Sequence, residues 1–391
     1  MEFELTDNFQ VILPNELPAA NVGEIERAID MPIGNALEDL EGSSASILVS
    51  DITRPSPTHQ MLMPLCKRLE NLGISRIRVV FALGSHRKMT SEEERFLLKD
   101  CFDLPHRQHD MMSCINIGLT SCGTPVEILE DVASSDIIIG TGNIEYHYYA
   151  GYSGGAKAVL PGVSSERSII KNHELMRDPR SISGNVDSPV RHDMEDAAGI
   201  AGLDFILNVV LNSNKKIVKA VAGNFIGAHR SGIQIVDKMY RRFVEPAEII
   251  ITCAGGRPKD INLFQAHKAL DNAKGATVDG GTIILLAECI EGYGNFAFER
   301  WASEASCAED CLERFGREFE FGGHKAALIA KESLEHDLIL VSSMSKDDTE
   351  KAFFKYAKNL EHALVMARKR HGKDARVLLM PHGDLTLATV K

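Results

Sequence analysis

Lys157 lies in GYSGGAKAVLPG, among glycines that let a backbone approach a ligand closely because glycine accepts positive φ. The segment superficially matches a phosphate-binding loop, which needs a glycine before the lysine and a hydroxyl after it. Ala156 and Ala158 stand at those positions, so ATP hydrolysis is disfavoured. A lysine here could be a Schiff-base or covalent-attachment residue, or a solvated side chain on a flexible loop. His173 follows in SSERSIIKNHELM, a helix expected to begin at Ser164 or Ser165. Ile169 and Ile170, four and three residues earlier, place it on an inward face. A satisfied core histidine and a metal ligand both remain open, and a lone histidine suffices for a metal only if a cofactor supplies the other ligands.

His86 and His147 each follow a predicted strand and a glycine-containing turn, and imidazoles that titrate near neutrality suit proton transfer. Arg54, in SDITRPSP, could clamp a carboxylate through two parallel hydrogen bonds. Gln265 and Lys268 stand three apart on a predicted helix and so share a face, which would suit an anionic, hydroxyl-bearing substrate or simply be solvated.

These residues need elements to hold them. SILVSD, IRVVFA and DIIIG read as strands, and Leu62, Leu65 and Leu69 recur at helical spacing after the first. Thr90 and Glu93 have capping-box spacing ahead of SEEERFLL. Strands alternating with helices predict a parallel sheet covered on both faces, with the loops bearing Asp51, Thr53, Arg54, His86 and His147 at one edge. Phe205–Leu211 and Ile217–Val221 predict a hairpin, and the alternation resumes at EIIITC. A single helical stretch is expected from Asp348 to Arg370, before a last strand Arg376–Met380.

At 391 residues, two domains are the default. The expected division is 1–245 and 246–391, with a final segment of roughly 15 residues a candidate to return to the first domain. A net charge of −12 argues against a nucleic-acid surface, which needs a basic footprint. The eight cysteines lack paired zinc-ligand spacing and read as reduced cytosolic thiols. The acidic start MEFELTDNFQ and the lack of a long apolar run predict a cytoplasmic protein without a membrane span.

Taken in order, SDITRPSP, GSHRKMT, GNIEYHYYAGYSGGAKAVLPG, NHELM and DINLFQAHKAL resemble the lactate-racemase family of nickel-pincer-nucleotide racemases and epimerases, and MPHGDLTLA near the C-terminus is similar too. The resemblance implies a two-domain α/β protein, each domain with a mainly parallel sheet flanked by helices, and an active site in the interdomain cleft. It implies a pyridinium thioamide/thiocarboxylate mononucleotide covalently attached to Lys157. Nickel would be held by two cofactor sulfurs, a ring carbon and His173. By motif position His86 and His147 are the paired acid–bases, and Arg54, Gln265 and Lys268 contact substrate. Asp51, Thr53, Gly154 and Gly155 line the cofactor. The implied reaction inverts C2 of a small 2-hydroxy acid: one histidine takes the hydroxyl proton while hydride passes from C2 to the cofactor. The planar keto acid is then reduced on its other face. Cofactor-biosynthesis and maturation proteins are the implied partners.

Two departures leave the identity of the 2-hydroxy acid open. Glu145-Tyr146 stand where many members have a proline before the histidine, and Trp301 does not match the tryptophan at the substrate of the lactate-specific enzyme. Two other classes are weighed beside the racemase: a non-catalytic nucleotide or anion sensor that uses GYSGGAK as a cradle, and a zinc-dependent hydrolase built on His86, His147 and His173.

Overall fold

The computed structural model describes residues 9–391. It divides into two α/β units: residues 16–239, and residues 240–391 joined by residues 9–15.

In the first unit, Ser44–Ser50 and Ile137–Asn143 carry the apolar runs Ile47-Leu48-Val49 and Ile137-Ile138-Ile139, and both strands are largely buried. Such strands belong in the middle of a sheet whose two faces are covered. They lie side by side in a six-stranded sheet of order Ile217–Gly223, Leu203–Leu211, Ile137–Asn143, Ser44–Ser50, Arg76–Ala82, His106–Gln108. All neighbours run parallel except the first two, which form the expected hairpin. Helix Thr58–Asn71 turns Met61, Leu62, Leu65 and Leu69 onto one face of this sheet, a helical period of apolar residues that closes the core. Helix Ser91–Leu98 opens with the anticipated reciprocal cap: the Glu93 N–H donates to Thr90 Oγ1 and the Thr90 N–H to Glu93.

Because Ser44–Ser50, Arg76–Ala82 and Ile137–Asn143 are parallel neighbours, their C-terminal ends emerge at one edge of the sheet. The loops bearing Arg54, His86 and His147 therefore start together.

The second unit holds a six-stranded, all-parallel sheet of order Phe9–Val11, Val377–Met380, Ala247–Cys253, Thr277–Leu286, Asp337–Val341, Lys355–Tyr356. Three sequence expectations change here. The strand Phe9–Val11 pairs with Val377–Met380, so the chain's start joins the second unit. The final segment does not return to the first unit. Val377–Met380 is central in the second sheet, and Leu387–Val390 pairs with Arg241–Val244, so both are fixed there by backbone hydrogen bonds. The stretch expected as one helix from Asp348 to Arg370 is broken into helix Lys346–Lys351, strand Lys355–Tyr356 and helix Leu360–His371. Phe353 adopts φ 66°, which a helix cannot continue through, and Asn359 caps the second helix by accepting from the His362 N–H. No helix among the described residues is long and apolar enough to cross a membrane.

Candidate active site

Asp51 ends the Ser44–Ser50 strand and is only 4% exposed. Both of its oxygens are used. Oδ1 accepts from the Thr53 N–H at 2.7 Å and the Thr53 hydroxyl at 2.5 Å, and Oδ2 lies 2.6 Å from His86 Nδ1. Asp51 and Thr53, expected to line a cofactor, thus form a bracket that orients His86. Burial opposes ionisation of Asp51, but the hydrogen bond and charge of His86 outweigh it and hold the carboxyl down at about 2. A carboxylate accepting at His86 Nδ1 keeps the proton there and leaves Nε2 as the free acceptor.

The depressed Asp51 pKa has a pH consequence. The ionised carboxylate stabilises the folded state by about 2 kcal/mol, fully present above the ordinary carboxyl pKa of about 4 and lost as pH falls toward the folded value. Urea unfolding from pH 7 to pH 2.5 should show that loss in the wild type. In Asp51→Asn the acid-dependent part should be smaller by this amount.

His147 is placed differently. The Ala150 N–H approaches its Nδ1 at 3.4 Å. Its ring stacks on Tyr148 at 5.1 Å and meets Tyr149 edge-on at 4.4 Å.

The glycine loop after His147 is pinned rather than flexible. Arg191, 0% exposed and projecting from helix Pro189–Ala201, donates to the backbone carbonyls of Ala150, Tyr152 and Gly154. Burial lowers its pKa to about 10, against the pull of Glu195. The Tyr146 and Tyr152 hydroxyls both donate to Asp237, each at 2.8 Å. Gly154 and Gly155 have φ 74° and 59° and press against the protein itself. A Cβ on Gly154 would meet Asn208 Oδ1 at 2.8 Å, and one on Gly155 would meet the His229 ring at 3.0 Å. The Gly155 N–H donates to Asn208 Oδ1 at 2.8 Å, and His229 Nε2 lies 2.7 Å from the Ser153 carbonyl oxygen. These glycines therefore have a packing requirement independent of any ligand. Arg191→Met should leave buried carbonyls unsatisfied and lower unfolding free energy by about 3 kcal/mol, measurable by denaturant titration.

Lys157 stands on the short helical turn Gly155–Ala158, half-buried, with its Nζ 5.4 Å from the Tyr149 ring centroid. Desolvation first, then the charges of Arg191 and Arg54, push its pKa well below that of an ordinary lysine. Its Nζ has no hydrogen-bond or ion-pair partner among the described residues. The Arg54 guanidinium likewise has none among the described residues, which leaves its planar fork available to an anion.

His173 projects from helix Glu166–Glu174, started by Ser165, whose hydroxyl accepts the Ser168 N–H. It is 3% exposed, and its Nε2 lies 2.6 Å from the Tyr149 hydroxyl oxygen. Burial, reinforced by the charge of Lys157, lowers its pKa to about 3, with the Ile169 carbonyl pulling the other way. At neutral pH it is an uncharged imidazole, the form that binds metals. Burial also raises the Tyr149 pKa, so its phenol stays protonated and donates to Nε2. Lys157 and His173 thus both contact Tyr149, and His147 packs on the same ring. A deprotonatable amine, a neutral imidazole and a second histidine around one buried phenol fit a group needing covalent attachment and one nitrogen ligand.

Gln265 and Lys268 belong to the second unit. Helix Leu263–Lys274, capped by Asn262, buries Leu263, Ala266, His267 and Leu270 and leaves Gln265 and Lys268 half-buried on a shared stripe. Beside them Lys325 is fully buried, 3.1 Å from His267 Nδ1. Trp301 is 1% exposed and donates to Glu320 at 2.6 Å, with Arg314 over its ring, so it serves the core of that unit.

Tyr149, Arg191, Asn208 and His229 are the site-building residues that sequence reasoning missed. Only Tyr149 carried a signal, its adjacency to His147 in EYHYYAGY.

Residues 1–184 match the lactate racemase N-terminal domain and residues 243–387 the lactate racemase C-terminal domain. Among curated proteins, a lactate racemase of Thermoanaerobacterium thermosaccharolyticum is 33% identical over 378 residues, covering 92% of this chain and 88% of that protein. One of Lactiplantibacillus plantarum is 32% identical over 376 residues, covering 92% and 89%. Among solved structures, the lactate racemase apoprotein from T. thermosaccharolyticum superposes with a TM-score of 0.93 at 30% identity, over 99% of this chain and 96% of that one. A Thermotoga maritima protein shares the fold with a TM-score of 0.69 at 19% identity, over 94% and 97%.

Proposed function

The chain belongs to the lactate racemase family and is an isomerase of the racemase type, and from that premise we propose that it inverts C2 of a small 2-hydroxy acid by reversible hydride transfer. The observation that carries this reading is the shared contact of Lys157 and His173 with Tyr149, on a loop fixed by Arg191. Neither an anion sensor nor a zinc hydrolase requires a lysine whose charge is disfavoured at that place.

In this reading Lys157 attaches a nickel-pincer nucleotide, because an uncharged amine is the form that is acylated. His173 supplies the protein's nitrogen ligand to nickel. When bound, the cofactor supplies the acceptor and donor of hydride. Arg54 binds the substrate carboxylate through paired N–H donors, and Gln265 and Lys268 are further substrate contacts. His86, its Nδ1 proton fixed by Asp51, takes the 2-hydroxyl proton of one enantiomer at Nε2. His147, protonated at both ring nitrogens for this step, returns a proton to the keto oxygen on the opposite side and is left as neutral imidazole, and in the reverse direction the two exchange roles. The cationic surroundings of Lys157 favour an anionic substrate and raise the acidity of its hydroxyl. Lactate, the substrate named for the curated relatives, is the first acid to assay.

The test is co-expression with cofactor-biosynthesis and maturation proteins in nickel medium, followed by intact mass, metal content and a panel of single-enantiomer 2-hydroxy acids. The expected result is a mass adduct on Lys157, nickel, and racemisation in heavy water with C2 largely unlabelled. Loss of C2 hydrogen to solvent would instead indicate proton abstraction at carbon.

A further inference from the structure

We propose that Tyr149 is a stand-in for the metal at His173: a positioning residue whose hydroxyl caps Nε2 in the unloaded protein and must leave it when nickel binds. This rests on His173 being the nickel ligand. Imidazole Nε2 has a single in-plane lone pair, so it can accept a hydrogen bond or coordinate a metal but not both. The Tyr149 hydroxyl is 2.6 Å from that atom. The rings of Tyr149 and His173 are tilted 59° with centroids 4.9 Å apart, and His147 and Tyr148 meet Tyr149 edge-on at 4.4 and 4.6 Å. The backbone of Tyr149 is anchored, since Ser188 Oγ donates to its carbonyl at 2.6 Å. Release of Nε2 therefore falls to the side chain.

The cap has a use. A buried imidazole nitrogen with no partner is costly, and the phenol satisfies it and fixes the ring's direction before any metal arrives. Loading must then break this hydrogen bond. The apparent nickel affinity is lowered by about 3- to 10-fold relative to a protein without the cap. Because the Lys157 Nζ lies 5.4 Å from the centroid of the same ring, modification of the lysine and release of the histidine act on one side chain.

Tyr149→Phe keeps the ring and removes only the hydroxyl. Wild type and variant are matured with the cofactor proteins and nickel, the adduct is verified by intact mass, and nickel retention is titrated with a competing chelator. The expected result is nickel held about 3- to 10-fold more tightly in the variant, whereas equal or weaker retention overturns the proposal. In the unloaded proteins, 15N-histidine NMR should move the His173 Nε2 resonance toward that of a free acceptor in the variant, and an unchanged resonance overturns it. A variant-free arm follows the 13Cζ resonance of Tyr149 in wild type, expected to shift on loading; no shift also overturns the cap. His173→Ala separates the two ideas. If nickel stays bound in it, the ligand reading is wrong, while the NMR arm still decides whether Tyr149 caps Nε2.

Discussion

Lys157→Met is expected to abolish racemisation while leaving the fold as stable as wild type or more so. The two halves of that expectation come from the same environment. The Lys157 amine has no hydrogen-bond or ion-pair partner among the described residues, and desolvation together with Arg191 and Arg54 disfavours its charge. A side chain held in this way contributes a nucleophile at a cost in stability, the trade-off that active sites commonly carry. Methionine matches its length without the amine, so unfolding free energy should rise by about 0.5–1 kcal/mol. Activity should fall by at least about 10⁴-fold if Lys157 is the proposed attachment residue, since accelerations of enzymes far exceed that factor.

The sign of the pH dependence gives an independent check. The folded protein leaves Lys157 deprotonated over a range in which the unfolded chain, with its amine near the usual 10.5, binds a proton. Unfolding therefore takes up a proton, and stability rises with pH across that range, by the linkage relation. The difference in stability between variant and wild type should be largest at the acidic end and shrink as pH approaches 10.5. Denaturant titrations at several pH values, intact mass after maturation, and a racemisation assay read all three. A matured Lys157→Met protein with the full cofactor adduct would refute the attachment site.

Much of this arrangement follows from local pattern, and the rest does not. Asp51, His86 and His147 were placed at one sheet edge because three apolar runs each led into a loop, and parallel neighbours must end on the same side. The helix bearing His173 was marked by its Ser165 cap and apolar spacing. Arg191 could not be found this way. Its partners, the carbonyls of residues 150–154, lie about forty positions earlier, and nothing in PVRHDMEDAAG distinguishes a buried arginine from a solvated one. Asn208 is hidden within the apolar strand Leu203–Leu211, where its amide reads as an ordinary polar interruption until Gly155 is seen to donate to it. The strand Phe9–Val11 is three residues long, and its partner Val377–Met380 is at the other end of the chain. Pairing over such a separation is set by the closed fold rather than by the short segment.

Removal of either histidine should leave an enzyme that handles only one enantiomer in a single turnover. His86 presents Nε2 as a base because Asp51 keeps the proton on Nδ1, and His147 comes from a different loop at the same sheet edge. If the two act from opposite sides of C2, His86→Gln should lose deprotonation of one enantiomer, and His147→Gln that of the other. Steady-state racemisation needs both and should fall in each variant by about 10²- to 10⁴-fold, the usual contribution of a positioned acid–base. Single-turnover formation of the 2-keto acid, captured with a hydrazine reagent, would then appear from opposite enantiomers in the two variants. Asp51→Asn should resemble a weak His86 variant with the same enantiomer preference, because it removes the charge that holds the tautomer but leaves the ring. Equal keto acid from both enantiomers in either glutamine variant would mean that one base serves both faces, and the paired-histidine reading would then fail.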